Sequence, residues 1–156
     1  MDPKALKSLV ERSIVPMKTR LNLGPVEVTY FTNSRLARDD DGMTRGTANP
    51  NPLYGRVTIE LDPTHLDDDD EALHVLRHEL LHCYNQPLSM HHRLCLSVAA
   101  EAAHPALEES LTQNSELEVL ALERMLDALG MTPKALAAPL KTNPDRQRGA
   151  KRKRPG

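Results

Sequence analysis

The segment from Arg56 to Asn85 constrains the fold most, because it predicts a strand, a turn and a helix in direct succession. Residues 56–61 alternate between apolar and polar side chains, which is typical of a strand with one buried face. An Asp-Pro pair ends this strand, and the acidic run that follows favours the start of a helix. Residues 71–85 are strong helix formers, and Pro87 closes the segment.

Further helices and one more strand are predicted on either side of this segment. Asp2 is a capping residue for a first helix, and residues 26–31 alternate in the manner of a strand. Residues 33–55 are rich in Asn, Asp, Gly, Pro and Arg and predict a long loop or an irregular hairpin. Residues 90–103 and 115–129 predict two more helices. We therefore expect an α+β fold, in which a small antiparallel or mixed sheet packs against helices.

Length and composition exclude several classes of protein. The 156 residues fit one domain, and no apolar run approaches the ~20 residues of a membrane span. Aromatic residues make up only 3%, which argues against base-stacking platforms for single-stranded nucleic acid. The net charge of −2 gives no global field that would steer the whole protein to DNA or to a membrane. With two cysteines and no apolar stretch at the N-terminus, we expect a cytoplasmic protein.

The C-terminal residues 141–156 differ in composition from the rest of the chain. Seven basic residues face a single acid there, and almost nothing is apolar. This composition predicts a disordered basic tail after a domain that spans residues 1–140. The tail could touch nucleic acid weakly through charge alone, or it could simply be solvated.

The sequence His-Glu-Leu-Leu-His occupies positions 78–82, within the best predicted helix. Histidines at i and i+4 lie on one face of a helix, so the imidazoles of His78 and His82 can reach one metal ion. Such an ion needs three protein ligands and one open position for water. The carboxylate of Glu79 can reach that water without being a ligand and can act as a general base. The inward-facing neighbours of the motif are expected to be uncharged.

Residues 75–84 resemble the extended signature of zincin metallopeptidases: an apolar pair, any residue, His-Glu, two uncharged residues, His, then an uncharged and an apolar residue. The segment also resembles that of short bacterial and phage proteins with a His-Glu-Leu-Leu-His core and, more distantly, that of the SprT-like domains. The resemblance covers about residues 56–129. It implies a minimal zincin-like α+β domain, a zinc cofactor, and a strand before the metal-binding helix that lies at the cleft edge and pairs with an extended peptide.

The third metal ligand is left open by the sequence. The metzincin spacing is excluded, because no histidine stands six residues after His82. The next long helix offers Glu118, which is preferred because it lies on the predicted apolar stripe of that helix and must find a partner there. That stripe consists of Leu122, Met125 and Leu129. Glu116 and Glu123 are expected to point further round the helix. The other candidates are His92, as in SprT-like domains, and Glu101.

These features together predict a zinc-dependent metallopeptidase that hydrolyses peptide bonds. His78, His82 and Glu118 would bind Zn²⁺, and Glu79 would act as the general base. The partner would be a peptide or protein substrate, and no membrane is involved. A non-catalytic, metal-containing interaction or regulatory module, associated with nucleic acid through its basic tail, is the alternative. Stoichiometric zinc without hydrolysis of unfolded protein would favour that alternative.

Overall fold

The computed structural model describes residues 1–23, 27–32, 44–51, 56–85 and 94–140. In chain order they form α1 (Pro3–Arg20), β1 (Glu27–Thr32), β2 (Gly46–Asn51), β3 (Arg56–Leu61), α2 (Asp69–Leu81), α3 (His104–Ala128) and α4 (Pro133–Ala137). Short 3₁₀ turns lie at Pro63–His65, His82–Asn85 and Glu101–Ala103, and residues 94–98 are helical. The fold is therefore α+β, as predicted. The predicted basic tail, residues 141–156, lies outside the described residues.

The strands of the described ranges form one mixed sheet in the order β1-β3-β2. β3 is central, because it runs parallel to β1 on one side and antiparallel to β2 on the other. In this register Ile59 pairs with Tyr30 of β1 and with Ala48 of β2. Val57, Ile59 and Leu61 are buried, which confirms the alternating pattern predicted for β3.

β2 occupies part of the region that predicts a long loop or an irregular hairpin. Its sequence, Gly-Thr-Ala-Asn-Pro-Asn, has little intrinsic preference for a strand. Antiparallel pairing with β3 stabilises it where the local sequence does not. Because β3 lies between the two other described strands, the expectation that the strand before the metal-binding helix forms the cleft edge is wrong; β1 and β2 are the outer strands among the described residues.

The core is aliphatic, as the scarcity of aromatic residues requires. α1 begins after Asp2, whose carboxylate accepts a hydrogen bond from the backbone N–H of Ala5 at 3.2 Å. Its buried face consists of Leu6, Leu9, Val10, Ser13, Pro16 and Met17. At the other end of α1, the guanidinium of Arg20 donates hydrogen bonds to the carbonyl oxygens of Leu136 and Ala138, which fixes α4 against α1.

α2 begins at the acidic run, as predicted. The carboxylate of Asp68, the N-cap, accepts a hydrogen bond from the backbone N–H of Glu71 at 2.9 Å. The acidic residues of the first turn lie at the positive end of the helix dipole. The α-helix ends at Leu81, and the chain continues directly into the 3₁₀ turn His82–Asn85. The second histidine of the motif therefore lies at the junction between the two.

α3 is longer than the sequence predicts. It begins at His104, well before the expected start at Ser115, and its buried residues all lie in its second half. They are Val119, Glu123 and Leu126. This second half packs on α2 and brings ionisable side chains of the two helices together. No helix within the described ranges combines the length and apolarity needed to cross a membrane.

Candidate metal centre

His78 and His82 lie one helical turn apart at the C-terminal end of α2. The backbone N–H of His82 donates to the carbonyl oxygen of His78, so the i, i+4 geometry is kept although the α-helix ends at Leu81. The centroids of the two imidazole rings are 5.0 Å apart, and the rings meet edge to face at 74°. The structure thus brings these two side chains together, as their spacing predicts.

Glu116 of α3 completes a cluster with the two histidines. Its Oε2 atom lies 3.2 Å from Nε2 of His78, and its Oε1 atom lies 3.3 Å from Nε2 of His82. One potential ligand atom from each of the three residues lies within 4.8 Å of the other two. In the part of the chain that the structure describes, this is the one group of metal-ligating side chains with such geometry.

The second nitrogen of each imidazole faces another group of α3. Nδ1 of His82 lies 3.0 Å from Oγ of Ser115, and Nδ1 of His78 lies 3.6 Å from Oε2 of Glu123. Both rings are therefore turned with their Nε2 atoms toward Glu116. Metal-binding histidines commonly use one nitrogen for the ion and the other for a supporting partner of this kind.

The structure does not bring Glu118 to the two histidines. Glu118 is exposed, and most of the apolar stripe to which it belongs is exposed as well: Met125 by 51% and Leu129 by 67%. The expectation that Glu116 and Glu123 point further round the helix is wrong, since both face α2. Glu116 occupies the position beside the histidines that the apolar stripe predicts for Glu118.

α3 carries apolar residues on more than one side, and periodicity alone does not identify its buried face. Val119 and Leu126 are 0% and 6% exposed, whereas Leu117 and Leu120 are 64% and 41% exposed. Glu116 belongs to the buried side because it precedes Val119 by one turn. In the sequence, the helical spacing of positions 116, 119, 123 and 126 indicates the buried face. The stripe that contains Glu118 has equally regular spacing, so spacing alone does not decide between the two faces.

Of the two remaining candidates for the third ligand, the structure describes one. Glu101 is described, but it is exposed and takes no part in the cluster. His92 lies outside the described residues. Of the acids considered from sequence, Glu116 is the one that contacts both histidines.

Glu79, the general base predicted from sequence, is buried against β2. Its side chain is 6% exposed, and a Cβ at Gly46 would lie 3.0 Å from its Oε1 atom. The glycine therefore lets β2 approach closely enough to cover the carboxylate. Burial raises the pKa of Glu79 to about 7, although the nearby His82 and His78 oppose that rise.

The pKa values within the cluster shift in opposite directions. The hydrogen bond to Glu116 raises the pKa of His78, against the effect of burial. Hydrogen bonds to His78 and His82 hold the pKa of Glu116 well below its usual range. A proton shared between the carboxylate and an imidazole therefore resides on the imidazole. A cation that replaces this proton meets a carboxylate that is already ionised.

Arg77 is a fully buried cation directly before the motif. Its Nη1 atom donates to Oδ1 of Asp127 at 2.6 Å, and its Nη2 atom lies 3.5 Å from Oε1 of Glu123. The expectation that the inward-facing neighbours of the motif are uncharged is therefore wrong. An arginine is buried in this way only when it is paired. The pairing with Asp127 spans 50 residues, so no local pattern indicates it.

Two imidazole nitrogens and a carboxylate oxygen form a donor set that fits Zn²⁺. Catalytic zinc sites use three protein ligands of these types and leave a fourth position for water or substrate. The cluster also lies at the C-terminal end of α2, where the helix dipole favours a cation. The arrangement can therefore hold a metal ion on the same helix that carries the buried carboxylate of Glu79.

Comparison of the chain with protein-family models, with curated proteins and with solved structures found no match. Function must therefore be inferred from the chemistry of the site. One fold can support many unrelated activities, and the side chains of the site carry the chemistry.

Proposed function

We propose that this protein is a zinc-dependent hydrolase of the metallopeptidase type. The observation that carries the proposal is the convergence of His78, His82 and Glu116, whose ligand atoms lie within 4.8 Å of one another. The cluster coincides with the segment that resembles the zincin signature. The motif would supply two ligands, and the packing of α3 on α2 supports Glu116 as the third.

The ion would be held by Nε2 of His78, Nε2 of His82 and the carboxylate of Glu116. When bound, zinc would supply a Lewis acid that lowers the pKa of a water molecule and polarises a carbonyl oxygen. Ser115 keeps the ring of His82 turned toward that position. The pKa of Glu116 lies well below its usual range, so its carboxylate would offer a charged oxygen to a cation.

Glu79 would move the proton in the reaction. Its carboxylate would take a proton from the attacking water and later deliver it to the leaving amine. Its side chain is buried beside β2, which shields it from bulk solvent. That shielding favours transfer to and from the substrate over exchange with the surrounding water.

The strand beside Glu79 is β2, because a Cβ placed on Gly46 would lie 3.0 Å from Oε1 of that carboxylate. An extended peptide can add to the edge of a sheet through main-chain hydrogen bonds. β3 has a strand on each side and offers no such edge among the described strands. We therefore assign the substrate-pairing role, which the resemblance implied for the strand before the helix, to β2.

Metal analysis combined with a hydrolysis assay tests the proposal. We expect about one zinc per chain, and cleavage of unfolded casein that 1,10-phenanthroline abolishes and added zinc restores. A His78→Ala, His82→Ala double variant is the control and should neither bind zinc nor cleave casein. Protein that takes up no zinc after dialysis would overturn the proposal. Stoichiometric zinc without hydrolysis would favour the non-catalytic metal-containing module.

A further inference from the structure

We propose that Glu123 is a positioning residue for His78, and that Arg77 and Asp127 hold Glu123 in that role. The inference rests on the proposed metal site and adds a residue outside the three ligands. It assigns a function to the buried side chains of Arg77 and Glu123, which the proposed reaction does not otherwise use.

Glu123 lies between His78 and Arg77. Its Oε2 atom is 3.6 Å from Nδ1 of His78, and its Oε1 atom is 3.5 Å from Nη2 of Arg77. The two oxygens of one carboxylate therefore face the metal cluster and the interior cation. His74 approaches the same carboxylate from the exposed side, with its Nε2 atom 3.9 Å from Oε1 of Glu123.

Burial makes this arrangement rigid. The side chains of Arg77 and Glu123 are 1% and 8% exposed, so bulk water cannot replace the partners of either charge. Asp127, which is half exposed, holds the guanidinium through two contacts, from Nη1 at 2.6 Å and from Nη2 at 3.4 Å. A two-point contact of this kind fixes the plane of the guanidinium. The fixed guanidinium in turn holds the carboxylate of Glu123 against the imidazole.

Each nitrogen of His78 lies beside a carboxylate, Nε2 beside Glu116 and Nδ1 beside Glu123. Once an ion takes the place of the proton between Nε2 and Glu116, the carboxylate of Glu123 would hold the remaining proton of the ring on Nδ1. His82 has the same orientation with a neutral partner, Oγ of Ser115 at 3.0 Å. The two histidines are therefore supported by groups of different charge, and His78 has the charged one.

A purely structural role for Glu123 would be to compensate the charge of Arg77 where α3 packs on α2. The two roles predict different experimental results for a variant of Glu123. A structural role affects the free energy of unfolding, whereas a positioning role also affects zinc affinity and the tautomer of His78. An isosteric change that removes the charge of Glu123 separates them when the folded variant is titrated with zinc.

The zinc affinity of Glu123→Gln tests the inference. We expect its zinc dissociation constant to rise by about 10–100-fold, measured against a chromophoric chelator in protein that circular dichroism shows to be folded. Glu118→Gln, at an exposed position of the same helix, is the matched control and should bind zinc as the wild-type protein does. Equal affinity of Glu123→Gln and wild-type protein would overturn the inference and leave the proposed metal site intact.

Nitrogen-15 NMR of the imidazole rings provides a second test that needs no variant. In zinc-loaded wild-type protein we expect His78 to bind through Nε2 and to carry a proton on Nδ1 that exchanges slowly with water. Binding through Nδ1, or an Nδ1 proton that exchanges as freely as in an exposed histidine, would contradict the inference. Wild-type protein that binds no zinc would overturn the proposed function itself, so the two failures are distinguishable.

Discussion

Oε2 of Glu116 lies 3.2 Å from Nε2 of His78, although the two residues are 38 positions apart in the chain. The contact joins the end of α2 to the middle of α3. Because both histidines belong to the same end of α2, a ligand set of three requires a residue from another element. The docking of α3 supplies that residue, and the proposed site therefore depends on tertiary packing.

Removal of the Glu116 carboxylate should weaken zinc binding strongly. Two histidines alone lack one of the three protein ligands that catalytic zinc sites use. We expect Glu116→Ala to raise the zinc dissociation constant by more than about 100-fold, beyond the effect of losing a supporting group. Glu118→Ala is the control and should leave affinity unchanged. If Glu118→Ala abolished binding and Glu116→Ala did not, the assignment of the third ligand would be wrong.

Glu79→Gln should separate metal binding from catalysis. Glutamine has nearly the shape of glutamate but cannot accept the proton from water, so a general base is lost while the ligands remain. We expect one zinc per chain, an unchanged fold, and casein hydrolysis reduced on the order of 10²–10⁴-fold. Zinc content and initial rates measured on the same preparation check this. Full activity in Glu79→Gln would exclude the proposed role.

Gly46→Ala should disturb the carboxylate of Glu79 without removing it. A Cβ at this position would lie 2.8 Å from Cγ1 of Val75 and 3.0 Å from Oε1 of Glu79, so something must shift. We expect a loss of about 1–3 kcal/mol in the free energy of unfolding and a larger fall in casein hydrolysis than in zinc content. Urea denaturation and rate measurements test this. Wild-type activity and stability together would show that the contact tolerates a methyl group.

Arg77→Met should destabilise the protein strongly, because it leaves the buried charge of Glu123 without its cation. Breaking a buried pair in this way costs about 3–5 kcal/mol. The matched control is Arg124→Met, at an exposed position of α3, for which we expect a change within about 0.5 kcal/mol. Urea denaturation of metal-free protein measures both. Similar stabilities for the two variants would mean that solvent, rather than Arg77, compensates the charge of the Glu123 carboxylate.

Asp62, in the turn before α2, should make stability depend on pH. Burial tends to raise its pKa, but hydrogen bonds from Thr64 and His65 outweigh burial and leave the pKa of Asp62 below its usual value. The ionised carboxylate therefore stabilises the fold above the unfolded-state pKa, and this contribution is lost as the pH falls through the lowered folded-state pKa.

The test for Asp62 compares wild-type protein with Asp62→Asn by urea denaturation. At pH 7 we expect the variant to be less stable by about 1–2 kcal/mol. Near pH 3 the difference should shrink, because the wild-type carboxyl is then partly protonated. Asp67→Asn, at an exposed position nearby, should show little difference at either pH. A constant difference at both pH values for Asp62→Asn would contradict the prediction.

Local patterns were sufficient wherever neighbouring residues decide the outcome. The alternation at 56–61 predicted β3, and the acidic run followed by helix formers predicted α2. The spacing of His78 and His82 predicted that their rings share one face, because a helix places i and i+4 together whatever packs against it. These features follow from backbone geometry and side-chain periodicity within about one turn of helix.

Features that depend on distant partners required the folded chain. β2 has a sequence with little strand preference and exists through its pairing with β3. Positions 116 and 118 differ by about 200° around a helix, so the choice of buried face decided which glutamate reaches the histidines. α3 offers two regular stripes, and the buried one includes Glu123, which lies between Arg77 and His78. Burial of those charges is favourable only once both helices are docked, because each charge then has its partner. No local sequence pattern indicates that pairing.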